Sequence, residues 1–259
     1  MKRLFIVLCF LFAASEAVAQ EPAAGILGEI GVDQKLNAPV PLDLQFKDES
    51  GKDVHLGDYF HGKPVVLSLV YLECPMLCSM TLNGLVKSMR PLTFNIGDDF
   101  EVLTISFDPK EKPELASAKK EVYVKDYGRA RAASGWHFLT GSEDSIRRLT
   151  DAVGYRYKWD DATKQWAHVS AIAVLTPEGH VSQYLYGIEF SSRDLRLSLI
   201  QASQNKIGTL VDRILLYCYH YNPETGKYGF VVMTAVRLAS IGTVLGLAAF
   251  ILLNRRRTA

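Results

Sequence analysis

Two cysteines, Cys74 and Cys78, stand four residues apart at the end of a long apolar run. Positions i and i+4 of a helix share one face, with Cβ atoms about 5–6 Å apart, so the two sulfurs can approach each other. Such a thiol pair can form and exchange a disulfide, or its thiolates can hold a soft metal ion. The spacing alone does not choose between these two chemistries.

The residues around the pair predict a strand that leads directly into a helix. Val65 to Leu72 is apolar on both faces, which is typical of a central strand. Pro75 is tolerated in the first turn of a helix, and Met76 to Met89 carries apolar residues at helical spacing. Because a helix N-terminus carries about half a positive charge, we expect this position to favour thiolates.

The rest of the sequence predicts a mixed α/β domain. A hairpin is expected over Leu42–Phe46 and Val54–Leu56, with further strands over Phe100–Phe107, Trp136–Leu139, His168–Thr176 and Val181–Gly187. Helices are expected over Pro113–Tyr127, Ser142–Val153 and Ser191–Ser203. A mixed sheet flanked by helices, with a central strand that carries a cysteine pair to a helix start, predicts a thioredoxin-like fold.

The histidines are the candidates for a third metal ligand beside the two cysteines. Copper(I) held by two thiolates accepts an imidazole as a further ligand. His168 opens the last hairpin, which in a thioredoxin-like sheet begins beside the cysteine turn. From the residues alone, His168 is either this ligand or a satisfied core histidine. The patterns around four further histidines indicate surface or half-buried positions: His55, His61, His137 and His180.

Three further residues are candidates for secondary roles. Asp108 ends a predicted strand, where it either orients a ligand or partner or simply forms the turn. Cys218 and His220 are two residues apart and would share a face in a strand. This second pair would be an auxiliary copper site near the membrane or supply a resolving thiol, or it is part of an aromatic stalk that rests on the domain or the bilayer interface.

Both ends of the chain carry targeting patterns. Lys2 and Arg3, an apolar stretch and Ala19 predict a cleaved signal peptide, and a long apolar segment followed by arginines predicts one transmembrane helix. We expect a single-pass protein of the cell inner membrane with its domain in the periplasm. The predicted division is a signal peptide over 1–19, an arm over 20–40, a thioredoxin-like domain over 41–205, a juxtamembrane stalk over 206–228, a transmembrane helix over 229–253 and a cytoplasmic tail over 254–259.

Charge and cysteine count exclude two classes of protein. The chain has 29 basic and 28 acidic side chains, so no basic field indicates nucleic acid binding. Removal of the signal peptide, which contains Cys9, leaves an odd number of cysteines. An odd number in an oxidising compartment argues against a disulfide scaffold.

Several segments together resemble the Sco/SenC copper chaperones, which help build the binuclear copper centre of cytochrome c oxidase subunit II. The second half of the chain, with a membrane span after the domain, resembles a bacterial membrane-anchored branch of that family. Departures are Glu73 and Ser79, where relatives often carry a hydroxyl or aromatic residue and a proline. The matching segments are Leu42–Phe46, Gly51–Leu56, Val65–Cys78, Thr104–Pro109, Trp136–Gly141, His168 and Tyr217–Tyr221.

This resemblance implies a function and a ligand set. Cys74, Cys78 and His168 would hold copper, as Cu(I), Cu(II) or both, and the protein would deliver it to oxidase subunit II. A periplasmic copper donor or a thiol reductase would be a further partner. The alternative is a thiol–disulfide oxidoreductase that keeps the cysteines of subunit II reduced, in which Cys74 and Cys78 would be catalytic and His168 dispensable. A peroxidase of related fold and a purely structural membrane partner are the remaining interpretations.

Overall fold

The computed structural model describes residues 28–74, 77–129, 131–207, 221–222, 227–228 and 237–246. The chain divides into two compact units, residues 1–206 and 207–259. The predicted signal peptide, the cytoplasmic tail, Cys218 and His220 lie outside the described residues.

A mixed sheet of seven strands forms the centre of the described part of the first unit, in the order β11-β10-β4-β5-β6-β2-β3. Strands β4, β5 and β6 are parallel to one another, and the other pairings within this sheet are antiparallel. The strands are β1 (Gly31–Val32), β2 (Gln45–Lys47), β3 (Asp53–His55), β4 (Val65–Val70), β5 (Glu101–Ser106), β6 (Trp136–Gly141), β7 (Tyr155–Arg156), β8 (Lys158–Asp160), β9 (Gln165–Ala167), β10 (Ala171–Leu175) and β11 (Val181–Tyr186).

Helices connect and cover this sheet. Ser142 and Ser191 cap two of them, because each side-chain oxygen accepts a backbone N–H of the first turn. The first helix packs against the second and the last. The helices are α1 (Leu77–Met89), α2 (Pro113–Tyr127), α3 (Ala132–Gly135), α4 (Glu143–Ala152) and α5 (Ser192–Ser203), with a short 3-10 helix at Leu56–Tyr59.

The predicted thioredoxin-like arrangement is confirmed. Every residue of β4 and β5 is buried, as expected for strands covered on both faces. The parallel neighbours β4, β5 and β6 are joined through α1 and α2, and the hairpin β2–β3 extends the sheet beyond β6. Two small additional sheets, β1–β7 and β8–β9, were not predicted from the sequence.

Part of the segment predicted as an extended arm packs on the domain. Strand β1 pairs with β7, and the backbone N–H groups of Asn37 and Val40 donate to the carbonyls of Val181 and Gly179, both at 2.8 Å. The described end of the arm is therefore attached to the domain by regular backbone hydrogen bonds.

The second unit contains a short hairpin and a helix among its described residues. Strands β12 (Tyr221–Asn222) and β13 (Lys227–Tyr228) pair, and residues 237–246 are helical. No helix within the described residues combines the length and the apolar character needed to cross a membrane. The transmembrane helix expected over 229–253 extends on both sides of the described helix into residues that the structure does not describe.

Candidate metal centre

The sheet brings together residues that are far apart in the sequence. Cys74 follows the turn after β4, and Cys78 lies in the first turn of α1. Strand β10 runs antiparallel to β4, with Ile172 opposite Ser68. The start of β10 therefore lies beside the end of β4, and the segment that leads into β10 places His168 next to the cysteines.

Three potential ligand atoms converge in this place. The Sγ atoms of Cys74 and Cys78 and one ring nitrogen of His168 lie within 4.8 Å of one another. The three residues are only 7%, 3% and 8% exposed, respectively, and both cysteines are in the reduced thiol form. The cluster thus combines two sulfur donors and an imidazole in a site that is largely closed to water.

Backbone and side-chain hydrogen bonds hold the sulfurs in place. The N–H of Tyr71 donates to Sγ of Cys78 at 3.3 Å, and the N–H of Cys78 donates to Sγ of Cys74 at 3.4 Å. The Nε2 atom of His168 lies 3.2 Å from Sγ of Cys78. Each sulfur therefore accepts at least one N–H group, which orients it toward the centre of the cluster.

The contacts of Nδ1 determine the tautomer of the His168 imidazole. Tyr155 donates its hydroxyl proton to the Val169 carbonyl at 2.7 Å, and Nδ1 of His168 lies 3.1 Å from the Tyr155 oxygen and 3.0 Å from the same carbonyl. Because that carbonyl can only accept, we assign the ring proton to Nδ1. Nε2 then carries the free lone pair and points at the cysteines.

The thiol pKa differs from the sequence-based expectation of a favoured thiolate. The hydrogen bond with Cys74 raises the pKa of Cys78 well above its ordinary range, and burial adds to this effect. In their effect on the pKa of Cys78, the hydrogen bond with Cys74 and burial therefore outweigh the dipole at the N-terminus of α1. A bound cation would have to replace this proton.

Aromatic rings surround the imidazole and keep the centre dry. The ring of Phe107 lies 5.3 Å from that of His168, and the ring of Tyr71 lies 6.3 Å away, both edge-on. Burial raises the pKa of Tyr155, so this phenol stays protonated and available as a hydrogen-bond donor. Sequence patterns gave no signal for Tyr155, because it lies in a two-residue strand that they did not predict.

A second residue that the sequence did not reveal lies beneath the cysteine turn. The carboxylate of Glu111 accepts the N–H groups of Leu72 at 2.8 Å and Glu73 at 2.7 Å. It also accepts the hydroxyl of Ser106. In the sequence, Glu111 is one charged residue in a run of charges after Asp108, which is typical of an exposed loop.

Asp108 contacts its own turn and the segment that leads to His168. Its carboxylate accepts the indole N–H of Trp166 at 2.8 Å and the backbone N–H of Lys110 at 2.9 Å. Trp166 belongs to β9, two residues before His168. Asp108 therefore forms its turn and also contacts the segment that carries the histidine, and its role toward a ligand or partner stays a prediction.

A cleft of about 340 Å³ opens beside the cysteine turn. Its walls include one residue on each side of Leu72 and two tryptophans from the β8–β9 hairpin. The cleft is lined among others by Tyr71, Glu73, Asp108, Glu111, Trp159 and Trp166.

The fold and this cluster define a thioredoxin-like protein with a buried thiol–imidazole centre. The chain belongs to the SCO1/SenC family, whose family model matches residues 33–199. It is 28% identical over 147 residues to the mitochondrial protein SCO2 homolog of Bos taurus, which is 55% of this chain and 52% of the bovine protein. The chain thus matches about half the length of this curated relative.

Solved structures of similar fold accompany this assignment. A protein of Aquifex aeolicus VF5, described as a suggested electron transfer protein, has a TM-score of 0.59 at 26% identity, covering 66% of this chain and 95% of its own. The structure of Arabidopsis thaliana ScoI with copper bound has a TM-score of 0.50 at 20% identity, covering 66% and 99%. The second likeness supports the fold.

Proposed function

We propose that this protein binds one copper ion through Sγ of Cys74, Sγ of Cys78 and Nε2 of His168, and passes it to cytochrome c oxidase during assembly. The observation that carries this proposal is the convergence of the three donor atoms within 4.8 Å in a buried site. Copper is the cargo of this activity, and the ligands must both hold and release it.

The chemistry of the donors fits copper(I). Two thiolates and an imidazole are soft and borderline ligands, which suit Cu(I). Zinc in structural sites takes four protein ligands, and the described residues place three such donors here. Because the Nδ1–H of His168 is held by Tyr155 and Val169, Nε2 is oriented toward the cysteines before the ion arrives.

Membership of the SCO1/SenC family supports the destination of the copper. The copper in the Arabidopsis ScoI structure makes copper the first ion to test in this chain. We further propose that the acceptor is the binuclear copper site of oxidase subunit II, reached by exchange of one ligand at a time. Glu73, the neighbour of Cys74, lines the cleft beside the cysteine turn, and this is the side from which we propose that the acceptor approaches.

The cellular setting is part of the same proposal. The signal-peptide pattern at residues 1–19 and the apolar segment over 229–253 support a periplasmic domain tethered to the inner membrane. In that oxidising space the thiols must be reduced before Cu(I) can bind. A periplasmic thiol reductase would therefore act before the copper donor.

The direct test is copper binding by the reduced full-length protein. We expect about one Cu(I) per chain, with two sulfur and one nitrogen neighbours in X-ray absorption. His168→Ala should lower the Cu(I) affinity by about tenfold or more, measured by competition with a chromophoric chelator. His61→Ala is the matched control, because His61 is exposed and is not one of the three clustered donors.

Two outcomes would contradict the proposal. One is an unchanged affinity in the His168→Ala variant, which would remove the imidazole from the site. The other is full copper binding after Cys74→Ser or Cys78→Ser, since a neutral hydroxyl is a poor substitute for a thiolate toward Cu(I).

A second function is favoured by the proximity of the two sulfurs. The reduced thiols of Cys74 and Cys78, whose sulfurs lie within 4.8 Å, are close enough for a disulfide to form after a small movement. The protein would then reduce cysteines of oxidase subunit II by thiol–disulfide exchange. Turnover of a disulfide substrate that survives His168→Ala, in a protein that does not retain Cu(I), would favour this function over copper delivery.

A further inference from the structure

We propose that Glu111 is a positioning residue of the metal centre, which holds the turn at residues 71–74 so that the two sulfurs converge. This inference deepens the proposed function and rests on it for its importance. The geometry on which it stands is independent of any metal.

Both carboxylate oxygens of Glu111 are engaged by the cysteine turn. One oxygen accepts the N–H of Glu73 at 2.7 Å, and the other accepts the N–H of Leu72 at 2.8 Å. The second oxygen also accepts the hydroxyl of Ser106, the last residue of β5. Two consecutive backbone amides of the turn are thus held by one side chain that is distant in sequence.

The same turn supplies one sulfur and orients the other. Tyr71, immediately before the held amides, donates its N–H to Sγ of Cys78 at 3.3 Å. Cys74, immediately after them, donates its own N–H to the Tyr71 carbonyl at 3.3 Å. A movement of the turn would therefore displace Sγ of Cys74 and remove the hydrogen bond to Sγ of Cys78 at the same time.

Burial of the Glu111 carboxylate is energetically unfavourable, and its hydrogen bonds offset this cost. Glu111 is only 9% exposed, and a buried charge is tolerated when hydrogen bonds satisfy it. The bonds it makes are strong, charge-assisted bonds to the turn rather than an ion pair. Since two of its three donors belong to the segment that ends in Cys74, the burial of this carboxylate serves the geometry of the site.

Glu101 provides a matched control within the same sheet. It is also a buried carboxylate, at the first residue of β5, and it pairs with Lys63 at 3.1 Å. Ser106, at the other end of that strand, is the residue that contacts Glu111. Replacement of Glu101 can therefore lower stability without altering the cysteine turn.

The first test needs no copper. In the reduced, metal-free full-length protein, we expect Glu111→Gln to raise the rate of alkylation of Cys74 and Cys78 by about fivefold, because release of the turn exposes thiols that are now buried. Mass spectrometry of the peptides separates these thiols from Cys9 and Cys218. The Glu101→Gln variant should alkylate at the wild-type rate under the same conditions.

The shorter acid separates positioning from charge. Glu111→Asp keeps the negative charge but cannot reach both amides, so we expect it to alkylate faster than the wild type, as Glu111→Gln does. Wild-type alkylation rates in Glu111→Asp together with raised rates in Glu111→Gln would show that charge alone matters, and the proposal would be overturned. Unchanged rates in both variants would overturn it as well.

The second test uses Cu(I). Both Glu111 variants should lose about tenfold in affinity and show a wider spread of copper–sulfur distances in X-ray absorption, whereas Glu101→Gln should keep the wild-type values. If the wild type binds no copper, the proposed function fails, and the alkylation result still decides the role of Glu111. If the wild type binds copper and both Glu111 variants bind it equally well, the positioning role fails alone.

Discussion

The Nε2 atom of His168 lies 3.2 Å from Sγ of Cys78, although 90 residues separate them. The antiparallel pairing of β10 with β4 accounts for this contact, because it brings the approach to one strand beside the exit from the other. The histidine is therefore placed by the central sheet, while its ring orientation is set by Tyr155 and Val169. The position of His168 and the orientation of its ring can therefore be tested separately.

Removal of the Tyr155 hydroxyl tests whether this group orients the imidazole of His168. Tyr155→Phe abolishes the hydrogen bonds of the hydroxyl with Nδ1 of His168 and with the Val169 carbonyl. Nδ1 then keeps only its contact with that carbonyl at 3.0 Å, so the ring can rotate more freely. We expect the Cu(I) affinity to fall by about tenfold, the usual cost of losing a residue that orients a metal-bound histidine. Competition with a chelator measures this loss.

The matched control is a tyrosine of the same domain that does not touch the histidine. Tyr184 is buried and donates its hydroxyl to the Val153 carbonyl at 2.8 Å. The same hydroxyl accepts the N–H of Lys35 at 3.1 Å. Tyr184→Phe removes both hydrogen bonds and should lower stability by about 1–3 kcal/mol, while copper affinity stays unchanged. Equal losses of affinity in both variants would show that Tyr155 acts only through stability.

The main elements of this fold could be predicted from the sequence because each has a strong local signal. The Val65–Val70 strand is a continuous apolar run, and the helix at Leu77–Met89 has regular apolar spacing. Cys74 and Cys78 lie between these two elements, so their position followed directly. His168 needed the further premise that the last hairpin begins beside the cysteine turn.

The surroundings of the site could not be predicted, because they depend on contacts between distant short segments. Strands β7, β8 and β9 have two or three residues each, too few to show an alternating pattern. Tyr155 and Glu111 have no motif that distinguishes them from other tyrosines and glutamates. Their roles come from tertiary hydrogen bonds to residues that are 13 and 39 positions away in the sequence, His168 for Tyr155 and Leu72 for Glu111.

Asp108 is expected to act on the centre indirectly through Trp166. Asp108→Ala removes the acceptor of the indole N–H, which loosens the β9 strand that leads to His168. We expect a red shift of the tryptophan emission and a loss of about threefold in Cu(I) affinity, which is smaller than for Tyr155 because the contact is one step further away. Asp108→Asn keeps an acceptor oxygen and should stay close to the wild type in both measurements. A loss as large as that of His168→Ala would instead make Asp108 a direct ligand.

A close approach at Gly84 is expected to limit the position of α1, the helix that carries Cys78. An ideal Cβ atom at this glycine would lie 1.9 Å from the Ile188 carbonyl oxygen, so any side chain forces the helix and the loop apart. We expect Gly84→Ala to lower the free energy of unfolding by about 2–3 kcal/mol, the cost of overpacking, in urea titrations. The neighbouring Asn83 is exposed, so Asn83→Ala should change stability by less than about 0.5 kcal/mol. Equal stabilities of the two variants would exclude this close contact.

Glu49 is expected to make the stability of the domain depend on acid. Burial alone would raise its pKa, but hydrogen bonds with His137 and Lys120 outweigh burial and hold the pKa at about 2, below its ordinary value of 4.5. The same carboxylate accepts the N–H of Phe138 on β6 at 3.3 Å, so it joins the β2–β3 turn to the sheet and to α2.

Because the pKa of Glu49 is lower in the folded than in the unfolded chain, its contribution is present above pH 4.5 and disappears as the pH falls toward 2. We expect Glu49→Gln to lower the free energy of unfolding by about 1–3 kcal/mol at neutral pH, and the difference from the wild type to vanish near pH 2. Asp53, whose ion pair with Lys47 is exposed, is the control, and Asp53→Asn should cost less than about 0.5 kcal/mol at neutral pH. A difference between Glu49→Gln and the wild type that stayed constant from pH 7 to pH 2 would show that packing, and not the ionised carboxylate, stabilises this turn.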